Sequence, residues 1–303
     1  MADYQFPEII DSSMLNTWKA CRQRWAFQYS AGLSSPKTSV HLHFGGCFAS
    51  AIETARRAFY IDGRPSSECV AAAMNTALRE WGDFVVDNPR ITKTKETLLL
   101  AIEGYFREWP LGNDGLTPIF EGSSIEFSFS FPTPIMRPEL ARANEPILYG
   151  GRFDMIAKWE GMNAVVDEKT TGRSFSSDWA AGWPLRGQFL GYVCGVNAHG
   201  IDCHQIVVRG VSVLKTKISF VQLPVLVSQH IIDRWYSDTM AEIEDMVSAW
   251  KIRYFRRNLG DACSSYQMCQ YSIMCQSKKP EDWESSYSIS RWNPLSRGAA
   301  SDD

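Results

Sequence analysis

The sequence predicts an α/β fold, a mixed β-sheet flanked by helices, with an N-terminal helical elaboration and a C-terminal cysteine segment closing onto it. Three observations predict it. Apolar residues recur at steps of three and four through residues 12–108, which is the helical period. Residues 123–223 instead carry short alternating or continuous apolar runs, interrupted by one helical stretch. Residues 225–257 return to the helical period, and three cysteines follow. Helices, then strands with one crossover helix, then a closing helix, is the order of a sheet covered by helices. The expected organisation is an N-terminal helical region over 1–115, a core with closing helix and cysteine cluster over 116–275, and a polar, partly disordered tail over 276–303 ending in SRGAASDD.

Taken in order, Ser12 or Ser13 can cap a helix with the stripe Met14, Trp18, Cys21, Trp25 and Tyr29, ended by Gly32 and Pro36. A second helix, FASAIETARRAFY, is expected to start from the Gly45–Gly46 pair, and two more are expected over about 66–86 and 92–108. SSIEFSFSF (123–131) alternates as a strand with Glu126 opposite Phe127 and Phe129, and PTPIMRPELARANEP reads as a loop. Strands over about 147–158 and 163–169 form a hairpin around Glu160 and Gly161. A helix over about 184–199, strands near 205–214 and 217–223, and a long helix over about 225–257 complete the chain.

At 303 residues the chain can bury one large core or two modest ones. Its 45% hydrophobic and 21% charged residues are ordinary for a globular protein. No apolar run approaches the roughly 20 residues that span a bilayer. The start, MADYQFPEIIDSS, lacks the basic and apolar regions of a signal peptide, so a cytoplasmic protein is expected, with no membrane partner. A net charge of −3 exerts no global pull on nucleic acid. Contact with DNA must come from local patches: Arg22 and Arg24, Arg56 and Arg57, Arg152, or the run Lys251, Arg253, Arg256 and Arg257. Each of these also reads as a solvated face.

Three stretches carry chemistry together: Asp154 in GGRFD, Asp167 and Lys169 in VVDEKTT, and Gln188 and Tyr192 in GQFLGY. Asp154 and Asp167 sit on neighbouring strands of the hairpin. Asp167 and Lys169, two apart, share a face, whereas Glu168 points away and offers its backbone carbonyl. Hard oxygen ligands suit Mg2+ or Mn2+, with Glu126 as a third carboxylate. Such an ion neutralises an attacked phosphate and acidifies a water, which Lys169 can orient. Gln188 and Tyr192, four apart, share a helix face and can reach the lysine or a phosphate. Singly, each piece also reads as a surface carboxylate, a charged strand end or a buried tyrosine; the joint order is far more specific.

In that order the chain resembles the PD-(D/E)XK nuclease superfamily, and within it the RecB-like exonuclease branch that includes AddB-type and CRISPR-associated nucleases. The resemblance covers roughly residues 12–275. It implies a restriction-endonuclease-like sheet and a DNA-cutting activity, with Asp154 and Asp167 as metal ligands, Lys169 as the catalytic lysine, and Gln188 and Tyr192 as the helix pair. It also implies DNA ends or single strands as substrate, roles in recombination, replication or repair, and a recombinase, helicase or single-strand-binding protein as partner. A freestanding nuclease of this size suits phage or mobile-element recombination and replication, acting in the host cytoplasm if phage-encoded. Relatives carry a metal-binding histidine in FG-x-x-x-H; here FGGCFA places Ala49 there, and His41 and His43 precede the motif. A catalytically weak DNA-end-binding module that partners recombination or CRISPR adaptation proteins, and a redox-responsive regulator, therefore stay open.

Of eight cysteines, Cys263, Cys269 and Cys275 cluster near the C-terminus. Disulfides are not expected in a reducing cytosol, so the cluster reads as a metal site or as buried thiols. No C-x-x-C pair favours zinc. A [4Fe–4S] cluster needs four thiolates and tolerates varied spacing, with Zn2+ as the alternative. The iron–sulfur subset of the RecB-like branch implies Cys21 as the fourth ligand. Cys47 follows the same Gly-Gly pair and is a spare candidate, while Cys69, Cys194 and Cys203 read as structural thiols.

Overall fold

The computed structural model describes residues 3–35, 39–120, 124–264 and 268–296. Strand β1 (Ile9–Ile10) leads into helix α1 (Ser12–Ala20). Its cap is Asp11, one residue before the expected serines, whose carboxylate accepts the Met14 N–H at 2.8 Å. The helix does not run on to Tyr29. Cys21 is extended (φ −165°, ψ 115°), α2 (Arg22–Trp25) restarts beyond it, and a π-helical turn follows over Ala26–Ser30. The interruption costs little hydrogen bonding, because Cys21 N–H still reaches Thr17 and Cys21 C=O still accepts from Trp25. Gly32, at φ +70°, ends the segment before β2 (Leu33–Ser34), and Pro36 lies outside the described residues.

Helix α3 (Val40–Tyr60) is capped by Ser39 and carries Gly45 and Gly46 inside it instead of starting there. The stripe Phe44, Phe48, Ile52 and Ala55 is long enough to hold a helix across the glycines. Helices α4 (Ser66–Trp81) and α5 (Lys95–Glu108) follow near their expected places, α5 with a Thr94–Thr97 capping box. Next come β3 (Thr117–Pro118), β4 (Ile125–Met136), β5 (Pro146–Trp159) and β6 (Met162–Thr171). β4 extends through Pro132 and Pro134, part of the expected loop. It is tolerated there because, among the described residues, β4 pairs with β5 alone, so a missing N–H breaks no second ladder. Glu160 and Gly161, both at positive φ, make the two-residue hairpin turn between β5 and β6. The remaining elements are α6 (Ser177–Ala181), α7 (Gly187–Ala198), β7 (Gln205–Val213), β8 (Ile218–Leu226), α8 (Gln229–Lys251), α9 (Asp261–Ser264), α10 (Ser272–Gln276) and β9 (Ser288–Ile289).

The chain divides into two compact units. The first comprises residues 1–37, 128–152 and 232–303. In it β1 runs parallel to the start of β5, with Ile9 opposite Leu148, and β2 pairs antiparallel with β9. Its core is aromatic: Phe6 meets Trp250 at 5.7 Å and Trp18 meets Trp25 at 5.3 Å, both edge-on. The polar tail belongs to this unit as far as residue 296, since β9 pairs Leu33 and the Trp292 indole donates to Asp11 at 2.9 Å. Of SRGAASDD (296–303), expected to be disordered, residues 297–303 lie outside the described residues.

The second unit comprises residues 38–127 and 153–231. Its sheet is mixed: β5 and β6 are antiparallel, β6 and β7 parallel, β7 and β8 antiparallel. A parallel pair needs a long crossover, and α7 supplies it between β6 and β7. Every residue of β7 is buried, as expected of an inner strand. Helices α3, α4 and α5 bury an alanine-rich face, Ala51, Ala55, Ala73, Ala77 and Ala101, against Phe48 and Tyr105. Small residues there let the helices approach closely.

Candidate active site

Asp154 lies where β5 changes side. The regular β5–β6 ladder runs from Met155, opposite Val166, to Trp159. Phe153 and Met155 are two apart and would share a face on an even strand. They do not: Phe153 packs on Phe127 at 5.4 Å and on Tyr192 of α7 at 5.3 Å, whereas Met155 packs with Ala157, Ala164 and Val166 beside Tyr60 of α3. Between them the Asp154 carboxylate turns to β6 and accepts the Glu168 N–H at 2.6 Å. Glu126 also departs from regular strand geometry, at φ +54°.

On β6 the alternation predicted from sequence is present. Asp167 is 2% exposed, and the Lys169 ammonium lies 2.5 Å from its Oδ2. Glu168 faces the other way, toward α3 and α5. Arg56 donates to both its oxygens, at 2.6 and 3.2 Å, and the Tyr105 hydroxyl donates at 2.8 Å. Arg209 joins the same buried network through Tyr105 and Asp114. Gln188 Nε2 donates to the Tyr192 hydroxyl at 2.8 Å, so the helix pair is bonded internally. Lys93, buried under α3, donates to Thr170 O and Oγ1, and burial pulls its ammonium down to about 8.

Burial raises the Asp154 carboxyl well above the usual carboxylate range, and the charges of Glu168, Asp167 and Glu126 add to it. Asp167 is also raised by burial, opposed by Lys169 and more weakly by Arg186. Burial would raise Glu168 too, but Arg56 beside it holds that carboxyl below its ordinary value. Negative charge is thus satisfied at Glu168 and left in excess around Asp154. A hard cation fits this excess in charge and in donor type. Among the described residues, however, no three Asp, Glu, His or Cys side chains are gathered tightly enough to hold one metal ion. Two carboxylates with backbone and water oxygens are the donor set available.

A family profile, described as the PD-(D/E)XK nuclease superfamily, matches residues 12–276. The chain belongs to the PD-(D/E)XK nuclease superfamily. No curated protein matches this nuclease-family chain significantly. Among solved structures, a crystal structure described as a "Putative exonuclease" from Eubacterium rectale is similar in fold, at TM-score 0.50 and 12% identity, covering 89% of this chain and 93% of that one. The crystal structure of SSO0001 aligns over 90% of this chain and 88% of that one, at 12% identity and TM-score 0.34.

The structure brings Asp167 and Lys169 together with Asp154. The arginines expected at a DNA surface are placed differently. Arg56 is buried on Glu168, where its charge is consumed. Arg57 bonds Glu53 and the Ile125 carbonyl, Arg22 pairs with Asp245, Arg24 lines the cysteine cavity, and Arg152 is half-buried in β5. Tyr105, Arg209 and Lys93 escaped the sequence reading. The signal for Tyr105 and Arg209 was position, a polar residue on an otherwise apolar stripe, which marks a buried partner; Lys93, in the polar segment before α5, carries no such signal. His43 stacks on Phe84 at 4.1 Å and bonds the Trp81 carbonyl, so it is used in helix packing.

In the first unit, Cys21, Cys263, Cys269 and Cys275 line one small cavity with Arg24, Asn258 and Tyr271. The break between α1 and α2 is what turns Cys21 into it. Burial raises the Cys275 thiol, and the other three cysteines add to the rise. Four sulfurs are soft donors by type, but among the described residues no three of them are gathered tightly enough to hold one ion. Cys47 does not line it, and is buried beside His43 in the second unit. No helix among the described residues is long and apolar enough to cross a membrane.

Proposed function

We propose that the chain is a Mg2+- or Mn2+-dependent deoxyribonuclease, an exonuclease acting on DNA ends or single strands in recombination, replication or repair. The observation that carries this reading is the ion pair of Lys169 with buried Asp167, beside an Asp154 that is overcharged without a cation. Asp154 and Asp167 would hold the ion, with the Glu168 carbonyl and Glu126 nearby. When bound, a divalent cation neutralises the attacked phosphate and acidifies a water. Lys169, tethered by Asp167, is positioned to donate to that water or to a phosphate oxygen. Tyr192 packs on Phe153, the residue before Asp154, and so fixes where β5 turns. The Gln188 bond in turn fixes the Tyr192 hydroxyl.

Cys21, Cys263, Cys269 and Cys275 would hold a structural [4Fe–4S] cluster, with Zn2+ as the alternative. Their role is to fasten the N-terminal turn at Cys21 to the C-terminal segment inside one unit. A cluster gives brown protein with absorbance near 400 nm, iron and acid-labile sulfide, lost in Cys269→Ala; stoichiometric zinc in colourless, anaerobically purified protein rejects it.

The test of activity is digestion of end-labelled single- and double-stranded DNA with manganese. Degradation that stops in Asp154→Ala and Lys169→Ala supports the site, and unchanged cutting in both rejects it. Ala49, where relatives have a metal-binding histidine, favours a second reading as a non-catalytic DNA-end-binding module. Tight binding of DNA ends without any cleavage selects it.

A further inference from the structure

We propose that Phe175, Trp179 and Arg186 form a stacking subsite for an unpaired nucleobase of the strand being cut, next to the scissile phosphate; this rests on the nuclease reading of the Asp154–Asp167–Lys169 site. The segment between β6 and α7 arranges four aromatic rings as a ladder. Phe175 meets Trp179 at 4.7 Å, Trp179 meets Trp183 at 4.9 Å, and Trp183 meets Phe189 at 5.4 Å. One end of this ladder comes to Lys169 and the other to its register partner on β7. At one end the Lys169 ammonium lies 5.8 Å from the Phe189 ring centre. At the other, Trp179 and Phe175 lie directly on Gly210, the residue of β7 in register with Lys169. A Cβ at that position would meet Trp179 Cη2 at 2.5 Å and Phe175 Cε1 at 2.9 Å. The inner strand therefore gives up a side chain there so that the edges of two rings can approach the backbone opposite the lysine.

Trp183 and Phe189 are buried and act as the foundation, whereas Phe175 and Trp179 keep part of their surface open to solvent. Arg186 is exposed, with its guanidinium 4.9 Å from the Trp183 ring centre and 6.0 Å from that of Phe189. Its charge also acts on Asp167, so it lies on the same side of the sheet as the proposed site. Residues 172–186 carry two arginines and one acid, a balance complementary to a phosphate backbone. Open aromatic faces beside a cation bind single strands, because every base has a face to stack and every linkage a charge. A base inside a duplex has both faces covered by its neighbours, so this subsite favours frayed ends and unpaired tracts.

The test measures binding of a labelled oligothymidylate and of an abasic strand of equal length by fluorescence anisotropy, in EDTA to prevent cutting. Wild type should bind the thymidylate about tenfold tighter than the abasic strand. Trp179→Ala should bring that ratio near one, and Trp179→Phe should retain most of it. Arg186→Ala should weaken both probes alike and reduce the salt slope by about 0.7. A ratio unchanged in a folded Trp179→Ala variant overturns the subsite, as does a wild type without preference. If Trp179→Ala does not fold, Phe175→Leu decides: a fall in the ratio supports the subsite and an unchanged ratio overturns it. Parallel digestion with manganese separates the two readings. Wild type that prefers the thymidylate but cuts nothing refutes the nuclease reading alone, and wild type that cuts with a ratio indifferent to Trp179 refutes the subsite alone.

Discussion

Arg56 of α3 donates to both carboxylate oxygens of Glu168, the residue between Asp167 and Lys169, and both side chains are about 3% exposed. The pair pulls the even face of β6 against the helices and leaves the odd face, with Asp167 and Lys169, turned to α7. The residue that anchors the strand is thus distinct from the residues proposed to act.

Removing one partner should show this. Arg56→Met leaves the buried Glu168 carboxylate without its guanidinium, with the Tyr105 hydroxyl still donating, and should cost about 3–5 kcal/mol of stability. Arg56→Met/Glu168→Leu removes both charges and should recover most of that loss. Urea denaturation of the single and double variants measures the difference. A single variant as stable as wild type would mean that the pair holds nothing.

Lys169→Met should lower cleavage by about 10²–10⁴-fold, the range for losing a positioned proton donor or charge. It should also change how stability responds to pH. Asp167 is raised by burial and restrained by Lys169, so without the lysine its folded carboxyl rises further. An acid raised in the folded state holds its proton longer there than when unfolded, so stability falls as pH climbs above the unfolded value. Metal-free Lys169→Met should therefore lose more stability than wild type between about pH 4 and 7. Denaturant midpoints across that range measure it, and parallel curves for the two proteins would refute it.

Much of this site was legible because its parts are local. The hairpin at Glu160–Gly161 follows from residues that accept positive φ, and D-x-K on one face follows from the two-residue strand period. Gln188 and Tyr192 meet because they are four apart on a helix. Arg56 was misjudged because its partner lies on β6, far along the chain, and a charged residue on an apolar stripe only announces that some partner exists. The interruption at Cys21 was invisible for a related reason. Trp18 and Trp25 satisfy an unbroken helix equally well, and only the fold around Asn258 and Cys263 requires the turn. The side change at Asp154 has no sequence signal of its own, since Phe153 and Met155 are both good strand residues.

Asp154→Asn should abolish cleavage and stabilise the metal-free protein at neutral pH. The Asp154 carboxyl is raised well above its ordinary value, first by burial and then by neighbouring acids, so its ionised form opposes folding once the pH exceeds the unfolded value. The amide keeps the shape and can still accept the Glu168 N–H. Manganese should reverse the ranking. At a hundredfold excess over its Kd, an ion bound only by the folded state adds about 2.7 kcal/mol to wild type. The asparagine variant should gain much less. Thermal melts with and without manganese measure both effects, and an equal metal response in the two proteins would remove Asp154 from the ion's ligands.

Gly104 on α5 sets two effects of opposite sign against each other. Alanine inside a helix is favoured over glycine by roughly 1 kcal/mol. A Cβ at Gly104, however, would lie 2.5 Å from Cζ and 2.8 Å from Cε2 of Phe220 on β8. That ring is held between the helix and Trp109, whose own ring is 6.0 Å away and edge-on. The ring must shift to make room, and overpacking of this kind costs about 1–3 kcal/mol. Gly104→Ala should therefore be net destabilising by about 1 kcal/mol. Phe220→Leu shortens the obstructing ring, so adding Gly104→Ala to that variant should raise its stability. Chemical denaturation of the four proteins gives the coupling directly. If alanine stabilises both backgrounds equally, the ring yields freely and the close approach of α5 to β8 imposes no constraint.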